Sequence, residues 1–186
     1  MKDIFTQAIA LIEKNSSYPL VVALEGGAAT GKTTLAAQLS AHFQAPVISM
    51  DEFFLPPALR TKERFLEPGG NIHYERFDAQ VAAPIRAGKA FSYQVFDCGK
   101  MDFGGERHIP LVPLLIVEGV YSLHPRYQDI YDLRLFLKTN SAAQDQRLRA
   151  RGEWLYQRFQ EDWLPMEQAY YDAFHPEKNC HAILTT

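Results

Sequence analysis

Gly26-Gly27-Ala28-Ala29-Thr30-Gly31-Lys32-Thr33-Thr34 carries the spacing G-x-x-x-x-G-K-[ST]. In that arrangement consecutive main-chain N–H groups and a helix N-terminus surround the phosphates of a nucleotide. The lysine, here Lys32, reaches the β and γ phosphates, and the hydroxyl of Thr33 ligates Mg2+. The loop works only between a strand and a helix, and both are legible. Leu20-Val21-Val22-Ala23-Leu24 is short, apolar and rich in β-branched residues, which predicts a buried parallel strand. Leu35, Ala36, Leu39 and Phe43 recur at helical spacing behind the loop. The segment from Gly26 to Thr34 is therefore expected to hold ATP and Mg2+.

Two carboxylates sit where such a loop could use them. Asp51 follows a second predicted strand, Pro46 to Met50, and Glu118 follows a third, Leu111 to Val117, with Pro113 near its start. In a parallel sheet both project at the edge that carries the ligand. One can take the proton of an attacking hydroxyl and the other can hold Mg2+ or its waters. Either alone could instead cap a helix. Arg147, Arg149 and Arg151 form a cationic cluster; on a helix Arg147 and Arg151 share a face, joined by Arg158 if the helix runs past Gly152. Such a run is either a solvated face, with Asp145 and Glu153 as partners, or a lid that brings cations to a transferring phosphoryl group.

The remaining chain has to position these groups. Ile4, Ala8, Leu11 and Ile12 predict an amphipathic helix ending before a turn at Asn15-Ser16-Ser17. Residues 56–70 read as an irregular loop with a short helix, and 74–87 as a helix weakened by Pro84. Phe91 to Phe96 reads as one arm of a hairpin flap, followed by a loop marked by Gly99, Gly104 and Gly105. Tyr131 to Leu137 and Ala182 to Leu184 are further strands. Between them Leu155, Phe159 and Trp163 share a helical face, and Pro165 opens a next helix with an apolar stripe. Strands alternating with helices predict an α/β fold: a doubly wound, mostly parallel sheet of about five strands with helices on both faces. One domain over 1–186 is expected, with a lid at about 141–163.

The bulk properties remove other classes. With 186 residues, 47% hydrophobic and 22% charged, the chain can bury a full core. A net charge of −3 without a basic block argues against nucleic acid or an anionic membrane as partner. No stretch approaches the roughly 18 apolar residues of a membrane span. Cys98 and Cys180 lack any metal or redox spacing, and Met1 to Leu11 lacks the apolar core of a secretory signal, so Asn15-Ser16-Ser17 is a sequon only in letters. A reduced, cytoplasmic protein is expected.

The chain resembles the uridine kinase-like branch of P-loop kinases, related to phosphoribulokinase and bacterial pantothenate kinase. The residues that carry the resemblance are 26–34, Met-Asp-Glu-Phe-Phe (50–54), Asn-Ile-His-Tyr-Glu-Arg-Phe-Asp (71–78), Val-Phe-Asp (95–97), Ile-Val-Glu-Gly-Val-Tyr (116–121) and the arginines of 147–151. They run in family order over residues 20–175. The resemblance implies that Asp51 is the base for the acceptor hydroxyl, Glu118 the Mg2+-linked carboxylate, and 147–151 the lid over ATP. It implies acceptor contacts from Asp51, His73, Tyr74, Arg76, Phe96 and Asp97. Two of these depart from the family, which usually has an aspartate near His73 to grip ribose hydroxyls and a tyrosine at Phe96.

The expected activity is ATP- and Mg2+-dependent phosphorylation of a hydroxyl on a small metabolite, with a pyrimidine nucleoside as the first candidate. A pantothenate-like or sugar-like alcohol is the alternative acceptor. A nucleotide-gated binding module with slow ATPase activity is the alternative class. Asp102-Phe103-Gly104-Gly105 spells the D-x-x-G of GTPases but reads as loop, and no Asn-Lys-x-Asp signature accompanies it.

Overall fold

A computed structural model describes residues 3–15 and 18–186; Ser16 and Ser17, and with them the predicted turn and sequon, lie outside the described residues. The strands are β1 (Leu20–Gly26), β2 (Val47–Ser49), β3 (Phe91–Asp97), β4 (Asp102–Ile109), β5 (Leu114–Glu118), β6 (Leu133–Lys138) and β7 (Ala182–Thr185). Five of them form one parallel sheet in the order β2-β5-β1-β6-β7, while β3 and β4 pair antiparallel as a separate hairpin. Pro113 stands just before β5, where its carbonyl accepts from Leu20 N and no ladder N–H is needed. Gly104 and Gly105, expected in a loop, lie within β4, as does Asp102-Phe103. A register shift opposite Val95 and Phe96 accommodates them there.

Helices α1 (Ile4–Glu13) and α2 (Lys32–Phe43) cover one face of the sheet. Ala8, Ile12, Leu35 and Leu39 pack on Leu20, Val22, Leu24, Ile116 and Leu135. The alternate residues, Val21, Ala23, Leu115 and Val117, face a second core with Phe53, Phe77, Tyr127 and Tyr170. Every residue of β1 is buried, as a central parallel strand requires. A short helix, α3 (Lys62–Leu66), lies in the irregular segment.

Two longer helices each absorb a proline in the same way. In α4 (74–86) the segment Asp78–Ala82 is a π turn, closed by Ala83 N donating to Asp78 O immediately before Pro84. After α5 (Ser141–Arg149), α6 (153–174) has a π turn at Phe159–Trp163, closed by Leu164 N on Phe159 O immediately before Pro165. A proline lacks the N–H for the carbonyl four residues back and its ring crowds that carbonyl. The wider turn relieves the crowding without ending the helix. Pro165 thus continues one helix, where the sequence suggested the start of another.

Candidate active site

The phosphate loop follows from β1 and the start of α2. Gly26 has φ 148°, and a Cβ there would lie 2.4 Å from Leu137 O, so only glycine lets the chain leave the strand. Gly31 at φ 96° caps α2 without a side-chain hydrogen bond, which leaves the helix N-terminus open to an anion. Lys32 Nζ folds back onto Gly27 O at 2.8 Å, and Thr30 Oγ1 donates to the same carbonyl at 2.8 Å.

Register brings the metal-type donors together. Ser49 of β2 pairs with Glu118 of β5, and Ser49 Oγ donates to Glu118 Oε1 at 2.9 Å. Thr33 Oγ1 lies 3.4 Å from both Glu118 oxygens. Three hard oxygen donors on adjacent elements suit Mg2+, which keeps most of its own waters. Ser49 carried no signal in the sequence beyond its place at a strand end.

A cleft of about 380 Å³ opens over these groups. Ala28, Ala29, Gly31, Lys32, Thr33 and Thr34 form its floor, and Asp51, Glu118 and Arg151 stand around it. Asp51 is exposed to solvent where it lines the cleft. Desolvation there raises its pKa above the ordinary 3.8, against the pull of Lys32 and Arg151. Burial likewise raises the carboxyls of Glu118 and Glu167. Phe54, Tyr121, Phe159 and Trp163 supply an aromatic wall. The π turn of α6 sets the last two edge to face, 4.6 Å apart.

The three arginines separate. Gly152, at φ 102° and ψ 150°, ends the helical run, so Arg158 does not extend the stripe and pairs with Asp162 instead. Arg151 lines the cleft. Arg147 donates to Ala29 O and Thr186 Oγ1 and lines a second groove with Thr34, Leu35 and Gln38. Arg149 turns outward, to Asp145 at 2.7 Å and the Tyr156 hydroxyl. Arg151→Ala should therefore lower kcat about tenfold, the weight of one charge-assisted contact, with a smaller rise in KM for ATP. Arg149→Ala should stay within about twofold of wild type, as befits an exposed pair. Steady-state kinetics on both variants separates the two, and equal losses would remove Arg151 from its role.

The acceptor residues implied by the resemblance do not line this cleft, apart from Asp51. His73 Nδ1 accepts from Arg76 N at 3.1 Å and caps α4. The Tyr74 ring lies between the guanidiniums of Arg64 and Arg126, 3.5 and 4.3 Å from its centroid. Arg76 is buried and donates to the carbonyls of Glu52 and Gln94, tying the hairpin to the loop after β2. Phe96 is buried beside Phe103, and Asp97 accepts from Gly99 N and Lys100 N in the hairpin turn. Arg76, Phe96 and Asp97 thus build and fix the flap, while His73 and Tyr74 secure the start of α4. From the same segments, Asn71 and Cys98 reach the cleft instead.

Glu25 and Glu167 went unread in the sequence, and both brace the loop. Glu167 Oε2 accepts from Ala28 N at 2.9 Å. Glu25 is fully buried and accepts from the main-chain N–H groups of Gly26, Tyr121 and Leu123. It thereby holds Tyr121 at φ 76°, a left-handed backbone that a bulky residue seldom adopts. Burial lifts its carboxyl from 4.5 to about 7. Between those values the unfolded chain gives up a proton that the folded protein keeps, so stability falls as pH rises. At roughly 1.4 kcal/mol per pH unit the full span is worth about 3 kcal/mol. Asp51, Glu118 and Glu167, also raised, act in the same direction. The urea midpoint should drop between pH 5 and pH 7.5, and a flat or rising midpoint would show that these acids are not raised in the fold.

Comparison with solved structures places this architecture. A possible uridine kinase from Bacillus stearothermophilus superposes with a TM-score of 0.75 at 17% identity, covering 97% of this chain and 96% of that one. A protein provisionally assigned as a fructose transport system kinase, from Silicibacter sp. TM1040, gives 0.74 at 23% identity, covering 99% and 100%. The chain has the fold of uridine kinase-like P-loop kinases. No protein-family model matches it. Among the described residues no helix is long and apolar enough to cross a membrane.

Proposed function

We propose that this protein is an ATP- and Mg2+-dependent kinase acting on a hydroxyl of a small metabolite, as one cytoplasmic kinase domain over 1–186. The observation that carries the reading is the carboxylate of Asp51 in the same cleft as Lys32, Thr33 and Glu118. A nucleotide switch needs no base there, whereas phosphoryl transfer to an alcohol does.

The second groove, lined by Ile4, Thr34, Leu35, Gln38, Arg147 and Thr186, adjoins the cleft across Gly31 and Arg151. It suits the base end of a nucleotide whose phosphates lie over Gly31 to Thr33. Bound Mg2+·ATP supplies the transferable phosphoryl group and screens its charge. Thr33, Ser49 and Glu118 would hold the metal; Lys32 and the amides at the start of α2 would hold phosphate oxygens. Arg151, on the segment 141–163 that we read as the lid, would meet charge as it redistributes. Asp51 would take the proton of the acceptor hydroxyl.

The aromatic wall favours an acceptor with a ring, and a pyrimidine nucleoside is the first to test. Acceptor-dependent ADP release over nucleosides, sugars and pantothenate-like alcohols tests the reading. Slow ADP release indifferent to every acceptor would favour a binding module instead.

A further inference from the structure

The phosphate loop is gripped from behind by α5. Gln144 donates its Nε2 to Ala28 O at 2.8 Å, and Arg147, one turn further on, donates to Ala29 O at 3.1 Å. Leu148 of the same helix is buried with Ala28 and Phe159. Ala28 and Ala29 line the cleft, whereas Gln144 lines a different groove with Gly27 and Thr30, so it meets the loop from the side away from the cleft. A Cβ on Gly27 would come within 3.2 Å of Gln144 Nε2, so glycine leaves the room for this contact. In a trans peptide the carbonyl of one residue and the N–H of the next point in opposite directions. With Ala28 O turned out to Gln144, Ala29 N–H is turned toward the cleft, and it donates to nothing among the described residues. The arrangement is strained. Ala29 has φ 58°, a left-handed backbone that alanine ordinarily avoids. A flip of the 28–29 peptide would relieve that strain and turn the N–H away.

Resting on the nucleotide site of the reading above, we infer that Gln144 is a positioning residue: its hydrogen bond to Ala28 O opposes that flip and keeps the Ala29 N–H presented to a phosphate oxygen of ATP. The neighbouring contacts do not hold this peptide. Glu167 fixes the preceding one through Ala28 N, and Arg147 holds the following one through Ala29 O. Without Gln144 part of the population carries the Ala29 N–H outward. Apparent affinity for ATP then falls in proportion to the fraction of molecules that still present it.

Gln144→Met keeps the length and helix propensity of the side chain but offers no donor. Calorimetric titration with ATP·Mg2+ should show binding about three- to tenfold weaker, the loss of one neutral hydrogen bond. Gln144→Ala, which removes the side chain past Cβ, should give the same loss, and circular dichroism shows that each variant is folded. The deciding readout is rescue from the loop itself. Glycine adopts left-handed backbone without steric cost, so most of the lost affinity should return when Ala29→Gly is added to Gln144→Met. A merely structural Gln144 would show no such dependence on Ala29→Gly. Unchanged ATP affinity in the folded Gln144 variants overturns the inference, and so does a loss that Ala29→Gly leaves in full. Absence of ATP·Mg2+ binding in wild type overturns the nucleotide site and this inference with it. The titration needs no acceptor, so a wild type that binds ATP·Mg2+ yet turns over no acceptor fails the kinase reading alone.

Discussion

Asp51→Asn should lower kcat by about 10²–10⁴ while ATP still binds, because the amide cannot take a proton at neutral pH. The carboxylate makes no hydrogen bond within the described protein, so it caps nothing; the 3-10 turn Met50–Phe53 that bears it has no side-chain cap. That removes the structural role in which asparagine would substitute well. The variant is nearly isosteric, and its loss should appear in turnover and not in calorimetric titration with ATP. The wild-type pH profile gives an independent check. A base must be ionised to act, and desolvation lifts the Asp51 carboxyl above 3.8. Activity should therefore fail, as pH drops, at a pH above that at which an ordinary aspartate titrates. Substantial activity in Asp51→Asn would mean that another group, or water, takes the proton.

What the sequence revealed and what it hid divide along a physical line. The phosphate loop was legible because its requirement is local: a strand, a glycine turn with left-handed positions, and a helix, all within residues 20–43. Glu118 was legible because it ends a strand beside that loop. Ser49, Glu25 and Glu167 were not, since each acquires meaning through a partner far along the chain. Ser49 meets Glu118 by strand register, and Glu167 meets Ala28 across 139 positions. His73 shows how one residue can fit two local roles. Its place in a familiar motif suggested substrate; in the fold its Nδ1 accepts from Arg76 N at a helix start and the ring does not line the cleft. For the arginines, the helix ends at Arg149, so Arg151 lies past it and meets Arg147 only along the second groove, while Gly152 breaks the run before Arg158. The two prolines misled about continuity alone. Packing of Phe159 and Trp163 on the cleft, and of Phe77 and Val81 in the core, keeps each helix running through a widened turn.

Lys32→Ala should weaken ATP binding about ten- to hundredfold, the loss of a charge-assisted contact of roughly 1.5–3 kcal/mol. The surroundings of Lys32 make the effect more than a lost phosphate contact. Glu25, Asp51, Glu118 and Glu167 all feel its charge, which lowers each of their pKa values against burial. Without that cation the four carboxyls should titrate still higher, and Asp51 would be protonated over more of the accessible pH range. The variant should then show two linked changes: reduced affinity for ATP·Mg2+ by calorimetry, and an acid limb of kcat/KM displaced to higher pH. A disordered loop would mimic the first change but not the second, because it would expose the acids and return them toward ordinary values. Circular dichroism and the urea midpoint show whether the sheet survives. Unchanged ATP affinity in a folded variant would remove the segment from Gly26 to Thr34 as the nucleotide site. Weaker binding with an unmoved acid limb would keep the site but detach Asp51 from the electrostatics of Lys32.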